Sequence, residues 1–468
     1  MKHTESQDRR RQLMLTQPVG SVVFKMAVPT IVAFLINSIY SLADTYFVSA
    51  LGTDATAAVS VNASLDQLIM MCGSLLAVGA NSYIARLLGQ NNDEKASKVL
   101  STAFFLAAAI GLSLTVLGSV FMTPMVRLLG ATDTCLQYSK DYASFVLLAA
   151  PFMATSFVMN QCLRSEGSAT LSMVGMGFGG ILNCFLDPVL IQGLPALGIP
   201  AMGVAGASLA TAISKVVSFV ILVFPYVTRR SLLHLSIKNF RPNWDILSNI
   251  VSVGSSSMFR SALAVVSGIL LNNMAGDISD SVLAGIGVST KVMMFPFSII
   301  LGFGAGFQPV AGFNWGAKRY DRVKDSFRFV SWVSILGAAV MAAILVIFAD
   351  QVIVAFAGDD PQMRELGKIC IILQSIALPI HAWVAMVNML CAGLGNGGGA
   401  FLLATARQGT CMLPVLFPLA YFFGVYGLIS VQAVADVLSL ALAIPICLYM
   451  VKKIRLAQKA LEGEGVHG

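Results

Sequence analysis

The sequence predicts an all-α polytopic membrane protein of about twelve transmembrane helices in two pseudo-symmetric lobes of six. Three observations carry this. Of 468 residues, 57% are hydrophobic and 11% charged, with a mean hydropathy of +0.80, whereas soluble domains carry about 25% charged residues. The apolar residues are gathered into segments close to the roughly 20 residues that a helix needs to cross a bilayer, separated by short polar loops. Lipid offers no partner to exposed backbone, so such segments are helices. The chain also repeats itself: Ala57-Ala58-Val59-Ser60-Val61 through Gly79 to Gly89 aligns without gaps on Ala284-Gly285-Ile286-Gly287-Val288 through Gly306 to Gly316, 227 residues on.

Other positions follow the same duplication. Pro151, Asn160 and Gly167 match Pro379, Asn388 and Gly395, and Gly203-Val204-Ala205-Gly206 echoes Gly424-Val425-Tyr426-Gly427. Spans are expected over 20–50, 55–79, 96–120, 138–161, 169–191 and 204–227, then over 245–275, 282–306, 327–348, 367–391, 400–424 and 428–451. An even number of spans per half relates the halves by an axis along the membrane normal and predicts a substrate cavity between them. The expected division is a leader over 1–19, an N-lobe over 20–227, a basic linker over 228–244, a C-lobe over 245–451 and a tail over 452–468. The leader carries Arg9, Arg10 and Arg11. The apolar segment after it is too long for a removable signal peptide and has no small-residue cleavage pattern, so it is expected to be a retained span.

The basic residues set the orientation. Loops around 86–98, Arg164, 229–241 and 318–328, with Lys452, Lys453 and Arg455, are rich in Lys and Arg, whereas 52–54, 192–203 and 277–280 are poor in them. Both termini are therefore expected in the cytoplasm. The formal net charge of +7 reads as this topology signal and not as nucleic-acid affinity. Eight scattered cysteines without a CxxC pair read as small buried hydrophobes.

The candidate site begins at Asn183-Cys184-Phe185-Leu186-Asp187-Pro188. An ionised Asp at the centre of a spanning helix costs about 2.5 to 3.5 kcal/mol on insertion scales, and intramembrane acids mark ion or proton pathways. Asn183 stands one turn before Asp187 on the same face, and Pro188 removes a backbone donor beside it, which should bend the helix. Tyr40 and Asp44 lie one turn apart in the first span, and Asn160 and Thr211 complete an oxygen-rich set with no obvious Lys or Arg beside it. Such a set suits a proton or a small cation, and Asp44, Asn183 and Asp187 are the positions for Na+ if sodium binds. The alternative is polar contacts that only pin helices together.

At these residues the chain resembles a family. Tyr40-Ser41-Leu42-Ala43-Asp44, Leu182 through Pro188, Gly203-Val204-Ala205-Gly206-Ala207 with Ala210-Thr211, and Gln308-Pro309 followed by Asn314-Trp315-Gly316-Ala317 are similar to motifs of the multidrug and toxic compound extrusion (MATE) transporters. The resemblance covers nearly the whole chain. It implies a V-shaped, two-lobed bundle that exports amphipathic, often cationic, drug-like compounds in exchange for protons or sodium ions. It also implies that Tyr40, Asp44, Asn160, Asn183, Asp187 and Thr211 bind the coupling cation. A monomer in the plasma membrane of a prokaryote is expected, with lipids as its surroundings and no cofactor.

The C-terminal half departs from those family members that carry acids in the seventh and tenth spans. Here those spans read Ser255-Ser256-Ser257-Met258-Phe259-Arg260 and His381-Ala382-Trp383. Arg260 and His381 are candidates for the cavity wall, where they would meet an anionic group of a substrate; alternatively, Arg260 pairs with Asp436 or snorkels. Lys215, Lys291 and Arg407 are placed near membrane boundaries. Among 22 methionines, Met153 and Met294 are candidates for a pliable substrate pocket. The absence of GxxxxGK[ST], HExxH and GxSxG argues against ATP as the energy source and against enzyme chemistry. Two rival readings are a lipid-linked-intermediate flippase, which needs a more cationic cavity, and a sensor or scaffold, which needs no paired intramembrane acids.

Overall fold

The computed structural model describes residues 12–49, 53–194, 198, 200–357 and 360–464; the side chains of Asp44 and Asp54 lie outside the described residues. The helices are α1 Val19–Ser49, α2 Thr53–Gly89, α3 Asp93–Val120, α4 Met122–Leu128, α5 Leu136–Ser165, α6 Ala169–Gln192 and α7 Val204–Val227, then α8 Trp244–Gly276, α9 Asp280–Gly316, α10 Tyr320–Ile347, α11 Ala349–Ala357, α12 Pro361–Gly393, α13 Gly397–Thr405 and α14 Met412–Glu464. A π turn, Ala406–Thr410, joins α13 to α14.

Among the described residues, eleven helical stretches are long and apolar enough to cross a membrane, the last being Gly397–Glu462 with 66 residues. That is far more than the roughly 20 residues one crossing needs. Its backbone breaks at Gly424 (φ 56°, ψ −132°), which divides it into two spans and gives the expected twelve. Two short helices were not expected. These, α4 and α11, begin 227 residues apart, at Met122 and Ala349, so they belong to the repeat. The last helix runs past Val451 to Glu464, so most of the expected tail continues the final span. The polar stretch after Val451 carries Lys452, Lys453 and Arg455 with good helix formers and no Gly or Pro until Gly463.

The chain divides into two compact units. The N-terminal unit takes residues up to Leu13 and Val32–Gly254; the C-terminal unit takes Met14–Ile31 and Ser255–Gly468. The boundaries therefore fall inside α1 and α8, and not in the 228–244 linker. Within the N-terminal unit α5 is the hub, packed by α2, α3, α6 and α7; within the C-terminal unit α12 is the hub, packed by α9, α10 and α14. Val146 and Leu147 of α5 meet Leu65 and Ile69 of α2 and Ala207 of α7 in the buried N-terminal core.

Apolar burial does not drive helices together in lipid, because acyl chains are as apolar as Leu; close approach at small residues does. The glycines show where this happens. A Cβ on Gly79 would lie 2.0 Å from the Ile250 carbonyl oxygen, and one on Gly254 would lie 1.7 Å from that of Leu75, so α2 and the start of α8 touch through backbone. In the C-terminal unit the equivalent Gly306 meets Ala27, and Gly302 meets Ile31, so the start of α1 lies on α9 in the same way.

Backbone geometry repeats as well. Gly203 (φ 55°, ψ −130°) and Gly424 (φ 56°, ψ −132°) share a conformation that side chains disfavour. Asn160 donates to the Ser172 carbonyl (3.1 Å) and Asn388 to that of Ala400 (3.4 Å), each twelve residues on.

Candidate functional site

The glycine run of α6 makes the first site. A Cβ on Gly177 or Gly180 would meet Ile36 at 3.1 or 3.0 Å, which brings α1 and Tyr40 against one side of α6. On the other side, Gly175 and Gly179 admit Leu222 and Ser218 of α7. One turn further along α6, Asn183 and Asp187 are buried, Asp187 with no exposed surface, and Thr211 of α7 is buried beside them. The Asn183 amide is satisfied with its nitrogen toward the Asp187 carboxylate (3.1 Å) and its oxygen accepting from the Thr211 hydroxyl and backbone N–H (both 3.2 Å). The helix continues through Pro188 to Gln192.

Beside this set lies a small cavity of about 60 Å³, whose walls include Tyr40, Asn160, Asn183, Thr211, Met153 and Lys215. Five of these were singled out from the sequence. Lys215 corrects two expectations: it is not at a boundary but half-buried in the pocket wall, with its ammonium 5.1 Å from the centre of the Tyr40 ring. The wall formed by Tyr40, Asn183 and Thr211 therefore also carries a base. Its signal was available, since Lys215 lies one turn after Thr211 on the same helical face.

Asn160 is also committed elsewhere. Its oxygen accepts from Arg164, and its nitrogen donates to Ser172. The sequence put Arg164 in a basic loop; instead it ends α5 with its side chain buried, over the Phe34 ring (5.7 Å), and its Nε and Nη1 have no hydrogen-bond partner. Glu166, two residues on, is buried too. It accepts from the Tyr226 hydroxyl (2.7 Å), the Leu232 N–H (3.0 Å) and the Ser231 hydroxyl, and so ties the α5–α6 turn to the linker. Asn314 of the Asn-Trp-Gly-Ala motif has a structural role: it accepts from Arg322 (3.1 Å), which also donates to the Gln17 carbonyl (2.7 Å).

The second site lies in the C-terminal unit. A cavity of about 270 Å³ is walled by Arg260, His381, Arg407, Phe297 and Asn388 among others. Asp436 is buried behind it, 2.9 Å from Arg407 Nε and 3.3 Å from His381 Nδ1. The Arg407 contact is one of charge and not an aligned hydrogen bond, since neither atom meets hydrogen-bond geometry. Of the alternatives open for Arg260, cavity wall or a pairing with Asp436 or snorkelling, the structure has it bordering the cavity, where it donates to Ser257 Oγ (3.2 Å). Arg407 was placed at a boundary and is instead held here, 4.0 Å over the Phe297 ring. Met294 is not among the residues lining either cavity, and Lys291 is exposed.

Comparison with known proteins agrees with this architecture. The chain is 28% identical over 429 residues to the multidrug export protein MepA of Staphylococcus haemolyticus, covering 90% of this chain and 93% of that one. It is 28% identical over 437 residues to MepA of Staphylococcus aureus, covering 93% and 94%. Among solved structures, a MATE protein in complex with MaD3S superposes with a TM-score of 0.87 at 23% identity, covering 96% of this chain and 99% of that one. The outward-facing conformation of a multidrug resistance MATE family transporter of the MOP superfamily also gives 0.87 at 23%, covering 96% and 98%. The MatE family model matches residues 29–189 and 256–422, one range in each half of the repeat. On these grounds the chain belongs to the multidrug and toxic compound extrusion family of membrane transporters.

Proposed function

We propose that this protein is a secondary active exporter of amphipathic, drug-like compounds, cationic ones included, driven by a proton or sodium gradient across a prokaryotic plasma membrane, with both termini in the cytoplasm. The observation that carries it is Asp187, a wholly buried carboxylate in a spanning helix, held by Asn183, which together with its partner Thr211 lines a cavity of about 60 Å³. That volume is on the order of four water-sized probes, enough for a proton or a small cation and too small for a drug. Similarity to MepA, named a multidrug export protein, supports the cargo class.

A buried carboxylate is stable only when neutralised. A proton or a cation arriving at Asp187, with Asp44, Tyr40 and Thr211 as further proposed ligands, supplies that neutralisation, and its departure restores the charge. Exchange follows if drug and cation favour different conformations, since a ligand that binds both states equally shifts nothing. Lys215 in the same wall supplies a tethered positive charge that competes with the arriving cation.

The test is efflux of a permanently cationic fluorescent dye from proteoliposomes under proton and sodium gradients imposed separately. Wild-type protein should respond to at least one gradient. Asp187→Asn, which keeps volume and hydrogen bonding while removing the titratable charge, should fall to the rate seen with no gradient. Wild-type efflux by the purified variant would overturn the assignment of Asp187.

A further inference from the structure

We propose that the cavity of the C-terminal unit is a binding site for a monoanionic group, a carboxylate or a phosphodiester, carried on an apolar body, with Arg260 as the group that meets it. Arg260 stands half way along α8, where a charge is costly unless it faces a cavity or a partner. Among the described residues it has no carboxylate within 4.0 Å, and of a guanidinium's five N–H donors one is engaged, to Ser257. Arg260 itself lines a cavity of about 270 Å³ whose remaining wall includes Phe297, Leu301, Val384 and Met389. An apolar chamber with one convergent charged group is the common form of an organic-ligand site.

The second arginine is built in. Arg407 sits in the π turn Ala406–Thr410, and single π turns inside α-helices occur often at functional sites. Ser267 of α8 donates to the Gln408 carbonyl, and Gly409 admits Leu263 of α8, so the turn is locked against the helix that carries Arg260. With Asp436 balancing Arg407, the charge of Arg260 is left over, and one monoanion cancels it. Polar glue between helices explains Arg407, Asp436 and His381. It does not explain an unpaired Arg260 at the edge of an open chamber.

A change of charge at related positions, one reversed and one gained, points the same way. The displacement of 221 residues that takes Gly203 to Gly424 takes Lys215 to Asp436, and the displacement of 228 that takes Asn160 to Asn388 takes Gly179 to Arg407. In the N-terminal unit α6 carries the acid and α7 the base; in the C-terminal unit the turn before α14 carries the base and α14 the acid. The inference rests on the transport reading only for the purpose of the occupant.

Equilibrium binding of dansylglycine, a fluorescent monocarboxylate, to the full protein in phosphatidylcholine nanodiscs tests it without any ion gradient, so it stands or falls apart from the assignment of Asp187. Dansylglycine should bind about tenfold or more tightly than its uncharged amide, and Arg260→Gln should abolish that preference; this substitution leaves no buried acid unpaired. Equal binding of acid and amide, or a preference unchanged in both Arg260→Gln and Arg260→Ala, would overturn the proposal. Competition by soluble dihexanoyl phosphatidylglycerol would support the site and name a lipid phosphodiester as its occupant; competition by aryl carboxylates alone would support it and name a soluble acid.

Discussion

The two units share a scaffold and differ in what they place inside it. Each is built on its fourth span, α5 or α12, each closes a helix approach with matched glycines, and each turns its last connection at a glycine with φ near 55°. Yet one holds a buried acid beside a cavity of about 60 Å³ and the other an unpaired arginine beside one of about 270 Å³. Fold and function separate here: backbone geometry is kept by glycines, asparagines and small residues, while the chemistry changes through a few charged side chains at related positions. A cation and an organic anion need cavities of different size and opposite sign, and a duplicated fold can supply both.

Asparagine offers the sharpest way to break the comparison. Asn160 and Asn388 make the same bond to a carbonyl twelve residues on, but only Asn160 also accepts from a buried arginine; the counterpart of Arg164 is Ala392. Asn160→Ala should leave the Arg164 guanidinium without its hydrogen-bond partner and cost about 3 kcal/mol, the penalty for a buried charged donor left unsatisfied. Asn388→Ala should cost about 1 kcal/mol, one ordinary hydrogen bond. Thermal or denaturant unfolding of the two variants in the same detergent measures both, and equal losses would mean that Asn160 does not hold Arg164.

The next effect belongs to Lys215. Removing a positive charge from the wall shared with Tyr40, Asn183 and Thr211 should strengthen cation binding at Asp187. Lys215→Gln is expected to lower the half-saturating concentration of the coupling cation about tenfold, a change of roughly one pKa unit or 1.4 kcal/mol. Dye efflux measured against external pH and against sodium reads the shift, and an unchanged midpoint in both series would remove Lys215 from the site.

Much of this was legible in the sequence for a physical reason. Lipid forces every span to be a helix of bounded length, so span number, the duplication and the one-turn spacing of Asn183 and Asp187 could be read directly. The failures lie in which way basic side chains turn and in pairings. A basic residue can snorkel outward or fold inward, and residue order does not say which; Arg164, Lys215 and Arg407 fold inward. Asp436 could have met Arg260 as easily as Arg407, and the choice was made by the π turn, which no periodicity announces. Even so, Lys215 was within reach, because it shares a face with Thr211.

The smallest expected effect tests the half of the comparison that should not differ. Gly203 and Gly424 hold positive φ with the same ψ to within a few degrees, and a Cβ added to either meets nothing within 4 Å. Alanine at these positions therefore pays only for its backbone conformation, about 1 to 3 kcal/mol, with no crowding to blur the reading. Gly206 and Gly427, three residues on, are different, since a Cβ there would lie 2.4 Å from the Leu190 carbonyl oxygen or 1.9 Å from that of Leu419, and crowding adds to the cost. The expected result is that Gly203→Ala and Gly424→Ala lower stability equally, to within about 0.5 kcal/mol, while cation-driven efflux in the one and dansylglycine binding in the other keep their wild-type charge dependence. Unequal losses at this pair would show that the two units differ in backbone as well as in charge, and the contrast between their sites could then no longer be assigned to side chains alone.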